Sequence, residues 1–157
     1  MSSKLKGAAG SIFSTPQGYR KLAGTDDVHK CLVLPRVLHK AASEISFLEE
    51  VKLKDMVALA LESEVERIKQ LSASGNTDGG HAVLSFSFAT DGSCIHTSVL
   101  LRKELVSCLR RVAHYSNIHE KMIVANGLAS YLVREYRDKH PDLLAAIESH
   151  KSSKEAE

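Results

Sequence analysis

The stretch from His81 to Leu101, HAVLSFSFATDGSCIHTSVLL, constrains this chain most, because its side chains can be assigned to opposite faces of one element. Ala82, Leu84, Phe86 and Phe88 alternate with Val83, Ser85, Ser87 and Ala89, the period of two expected of a half-buried strand. Asp91-Gly92 supplies the two positive-φ positions of a tight type I′ turn. The expectation is a central β-hairpin over about 82–97, with Phe88 facing Ile95 and Phe86 facing Thr97. In that register Leu84, Phe86, Phe88, Ile95 and Val99 share the core face. Serines, Cys94 and His96 occupy the other.

The flanking sequence is helical, so the expected class is α+β, mainly helical: two helices, the hairpin, then two or three helices. Asp26 or Asp27 caps a turn containing Val28 and Cys31. Pro35 is favourable at a first helical position, and Val37, Leu38, Ala41, Ala42, Ile45 and Leu48 form a stripe from there to about Glu50. Leu53, Met56, Val57, Ala60, Leu61, Val65, Ile68 and Leu71 define a second helix, with Glu62, Glu64, Glu66, Arg67 and Lys69 on its solvated side. SASGNTDGG, residues 72–80, is a connection rich in breakers.

Beyond the hairpin, Leu101, Leu105, Cys108, Leu109 and Val112 adopt helical spacing, which ends the second strand near Ser98 and makes Ser98 an N-cap. Ser116-Asn117 interrupts that helix, and Asn117 with Glu120 offers a capping box for the next, which runs to about Lys139. Pro141 then opens a short helix carrying Leu144 and Ile147. No repeat of 20 to 50 residues is visible, so a solenoid is not expected.

The 157 residues suit a flexible basic arm over 1–25, a single α+β domain over 26–150 and a polar tail over 151–157. The net charge of +2 is uneven, since the arm holds Lys4, Lys6, Arg20 and Lys21 and no acid. That opening also has the composition of a mitochondrial transit segment, which makes a mitochondrial location the alternative to a cytoplasmic or nuclear one. Three cysteines without paired spacing and the lack of a secretory pattern favour a reducing intracellular compartment. No apolar run approaches the roughly 18 to 20 residues of a membrane span.

Cys94 and His96 lie two apart on the expected strand, about 6 to 7 Å along it, which suggests a thiol and imidazole pair. Only the turn residue Asp91 is placed to orient the imidazole. Zinc spacings, a P-loop, a dinucleotide fingerprint and a Gly-x-Ser-x-Gly elbow are all missing, so neither metal nor cofactor is expected. The positive signal is basic. Lys103, Arg110 and His114 share one side of a helix with Arg111 at its border, and together with Lys4, Lys6, Arg20 and Lys21 they suit nucleic-acid phosphates.

The expected function is a non-catalytic binding or assembly subunit of a larger intracellular complex, a ribonucleoprotein contacted through the basic arm and helix face. Protein partners would use helix grooves. The open hairpin edge is a site for self-association. The alternative is a small cysteine-dependent hydrolase or transferase using Cys94 and His96.

Overall fold

The computed structural model describes residues 26–73, 84–88 and 94–151. Strand β1 (Asp27–Pro35) leads directly into α1 (Arg36–Glu49), and α2 (Leu53–Ala73) follows. Strand β2 (Cys94–Arg102) leads directly into α3 (Lys103–Ser116), then α4 (Glu120–Tyr136) and α5 (Pro141–Glu148). The class is α+β and mainly helical, and none of the helices is long and apolar enough to cross a membrane. The arm over 1–25 and its Lys4, Lys6, Arg20 and Lys21 lie outside the described residues, as do Asp91-Gly92 and the tail beyond Lys151.

The strand partner differs from the one expected. β2 pairs antiparallel with β1, in a ladder from Asp27↔Arg102 to Pro35↔Cys94, and residues 84–88 of the expected partner make only an isolated bridge, from Phe86 to Lys151. The reason lies in what each pairing buries. β1 buries alternate residues: Leu32 and Leu34 point inward and are 2% and 0% exposed, while His29 and Cys31 point out. On β2, Val99 and Leu101 point inward beside them. This ribbon therefore lays four aliphatic side chains on the helices from two strands of nine residues. The Val28–Cys31 turn is part of β1, and Ser98 lies mid-strand opposite Cys31 rather than capping a helix. α3 starts only at Lys103.

Phe86 and Phe88 still reach the core, by another route. The Ser85 and Phe86 amides both donate to Asn126 Oδ1, at 2.7 and 2.9 Å, and the Ser87 amide donates to the His150 carbonyl. Phe86 is buried, and Phe88 stacks between it and the His150 ring. Asn126 in turn donates to Glu64 Oε2 at 2.6 Å. Glu64 is thus not on a solvated face: it is 3% exposed, and its carboxylate is shared by Asn126 and the Arg67 guanidinium. Burial of that charge is tolerated because both oxygens are partnered.

The chain is built twice. β2, α3 and α4 each begin 67 positions after β1, α1 and α2: Asp27 and Cys94, Arg36 and Lys103, Leu53 and Glu120. Both first helices end on a left-handed residue, Glu50 at φ 56° and Asn117 at φ 59°. Asn117 is therefore the C-cap of α3, and His119 takes the N-cap position of α4. The buried sets coincide as well: Leu34 with Leu101, Leu38 with Leu105, Ile45 with Val112, Val57 with Val124, Leu61 with Leu128. In the ribbon Cys31 pairs with its own counterpart Ser98, so a pseudo-twofold axis passes between them. The same axis runs through the crossing of α2 and α4, where counterparts Ala60 and Gly127 meet. A Cβ on Gly127 would lie 2.8 Å from Glu64 Cβ and 3.4 Å from the Ala60 carbonyl oxygen.

The last turn of α1 is tied to the start of α5. His140 Nε2 lies 2.7 Å from Glu49 Oε2, with Lys139 beside it. This hydrogen bond, more than the lysine charge, holds the Glu49 carboxyl below the usual glutamate range. A depressed folded pKa means that its stabilisation is present above the unfolded value and is lost as pH falls through the folded one. Glu49→Gln should lower the melting temperature at neutral pH, and the gap to the parent should close below about pH 4. Thermal unfolding from pH 7 to pH 3 checks this.

Candidate nucleic-acid interface

The ribbon has one face on the helices and one in solvent. Antiparallel strands present alternate residues to each side, so the outer face carries His29, Cys31 and Val33 from β1 and His96, Ser98 and Leu100 from β2. His29 and His96 are counterparts and both are exposed, as are Cys31 and Ser98 at the axis. Val33 pairs with His96, and Leu100 with His29. Two imidazoles, two short polar groups and two aliphatic ones make the centre of this narrow surface, and Asp27 with Arg102 and Pro35 with Cys94 complete the same face at its two ends.

Basic residues recur in symmetric pairs at the strand ends and at the starts of α2 and α4. Arg36 and Lys103 are the exposed first residues of α1 and α3, just past the strand ends. Lys52 and His119 immediately precede α2 and α4, and Lys54 and Lys121 are their second residues. Lys30 Nζ reaches Glu120 Oε1 at 2.7 Å and holds the start of α4 against β1. Glu120 satisfies Lys30 there, which leaves His119 and Lys121 facing solvent on either side of it. Arg110, His114, Asn117, His119 and Glu120 line a notch of about 390 Å³ between the end of α3 and the start of α4.

The expected basic residues of α3 are therefore split. Lys103 belongs to the ribbon end, and Arg110 and His114 border the notch. Arg111 points the other way, toward α2, where its guanidinium lies 3.4 Å from Cys108 Sγ. Arg36, Lys52, Lys54 and Lys121 were not singled out from the sequence. Matching the two halves at the 67-residue offset would have found them, since each basic residue then aligns with another.

Cys94 and His96 both sit on the outer face, as their spacing required. Cys94 is half-buried opposite Pro35, and His96 is exposed opposite Val33. His96 has no hydrogen bond or ion pair among the described residues, so no acid orients it as a base. No group of three His, Cys, Asp or Glu side chains suited to a metal occurs among the described residues. Comparison with family models, with curated proteins and with solved structures gives no match to the chain.

Proposed function

We propose that the protein is a non-catalytic nucleic-acid-binding subunit whose antiparallel ribbon enters the major groove of duplex DNA. The observation that carries this reading is the pseudo-twofold axis normal to a solvent-facing ribbon, with basic residues paired across that axis at the strand ends and at the starts of α2 and α4. A B-form major groove is about 12 Å wide and admits a two-stranded ribbon. Arg36, Lys103, Lys54, Lys121 and His119 contact phosphates on the two walls, while His29, His96 and Ser98 meet base edges and Val33 and Leu100 meet thymine methyl groups. Duplex RNA is the poorer ligand, because the major groove of an A-form helix is too deep and narrow for such a ribbon. Because the two halves carry similar but unequal residues, the favoured site is an imperfect palindrome.

Anisotropy titration of labelled DNA and RNA duplexes against salt tests the reading. DNA should bind more tightly, with log Kd linear in log salt. Lys103→Ala and Lys121→Ala should each reduce the slope by about 1 and weaken binding evenly across sequences. Absence of DNA binding at low salt would refute the proposal and leave assembly with protein partners as the function.

A further inference from the structure

α5 packs against α1 and α4, starting beside Glu49 at the end of α1 and burying Leu144 and Ile147. Moved by the internal symmetry, α1 and α4 become α3 and α2. Between those two helices lies a groove of about 370 Å³ lined by Ile68, Lys69, Cys108, Arg111, Val112 and Tyr115. Exposure follows the difference in cover. Leu38 and Ile45 on α1 are both 0% exposed, whereas their counterparts Leu105 and Val112 on α3 are 8% and 7%. Ala41 is buried, but its counterpart Cys108 is half-exposed, and Tyr115 is 78% exposed against 54% for its counterpart Leu48.

The sequence does not repeat the apolar pair of α5 at the corresponding place. Residues 74–81 read SGNTDGGH, so Thr77 and Gly80 stand where α5 has Leu144 and Ile147. Three glycines in eight residues oppose a helix there. The arm over 1–25 is a poor substitute, because its three lysines and one arginine would meet Lys69 and Arg111 at the rim. α5 itself has acids at both ends, Asp142 and Glu148, and Glu148 pairs with Arg137 at its seat.

We infer that the α2–α3 groove is the docking site for a short amphipathic helix of a partner protein, apolar at i and i+3 and acidic at its ends. It takes against α2 and α3 the place that α5 takes against α1 and α4. The apolar pair covers Ile68, Cys108 and Val112, and the acids meet Lys69 and Arg111.

The probe is a labelled synthetic peptide of residues 140–150, HPDLLAAIESH, added to the full chain. Two readouts apply: anisotropy, and iodoacetamide labelling of Cys108 by mass spectrometry with Cys31 and Cys94 as internal references. The inference expects saturable binding, at least fivefold slower labelling of Cys108 alone, and about tenfold weaker binding by Arg111→Glu. A peptide with both Leu144 and Ile147 replaced by Asp should not bind. Undiminished labelling of Cys108, binding indifferent to Arg111→Glu, or no binding would each overturn it. So would faster Cys108 labelling after removal of residues 1–25, or on dilution of a self-associated form, since either result makes this chain its own occupant.

Discussion

Ser98→Glu should weaken duplex DNA binding by about 100-fold or more while leaving the fold intact. Ser98 sits at the pseudo-twofold axis on the outer face of the ribbon, opposite Cys31, and both residues are exposed. A carboxylate there points where groove acceptors and phosphates approach from both sides. Like charges brought together on binding cost several kcal/mol, and each 1.4 kcal/mol is about tenfold in affinity. Stability should hardly change, because an exposed strand position tolerates substitution within about 1 kcal/mol. Titration of parent and variant with the same duplex, alongside their melting temperatures, checks both parts. A variant that binds as the parent does would take the ribbon out of the interface.

Gly127→Val should cost about 3 kcal/mol and lower the melting temperature by about 10 °C. Glycine in mid-helix normally invites replacement, since it costs up to about 1 kcal/mol relative to alanine. Here the added Cβ would lie 2.8 Å from Glu64 Cβ, on a side chain already held by Asn126 and Arg67. α2 and α4 must then separate at the crossing, or Glu64 must leave its partners. Either movement loosens the Asn126 amide that holds the Ser85 and Phe86 backbone. Ala60, the counterpart across the axis, already carries its methyl, so the close approach depends on Gly127. Thermal and urea unfolding measure the loss, and a variant as stable as the parent would mean that the crossing is looser than described.

The helices were legible because each buries one stripe. α1, α2 and α5 lie within a few residues of where Leu38, Ile45, Met56, Leu61 and Leu144 placed them. The strand pairing was not legible for two reasons. Asp91-Gly92 is a strong local turn signal, and it drew the partner of Cys94–Arg102 to the nearest alternating stretch. β1 lies 67 residues earlier, ends at a proline, and carries Lys30 on its inward face, which masks its alternation. Lys30 is tolerated there because Glu120 meets it. The repeat escaped because few positions are identical, among them His29 with His96, Leu34 with Leu101, Lys54 with Lys121 and Arg67 with Arg134. What the halves share is the burial pattern, which appears only once both are folded. The symmetric basic pairs became visible with it, whereas Lys103, Arg110 and His114 could be read from the α3 wheel alone.

The most direct test of the account is a two-dimensional amide NMR titration of the full chain with a B-form DNA duplex and, separately, an RNA duplex. The account predicts shifts on DNA addition that centre on His29, Cys31, His96 and Ser98 and extend to the starts of α2 and α4, with weaker effects from RNA. Shifts confined to the arm or to the middle of α3, with the ribbon unmoved, would contradict it.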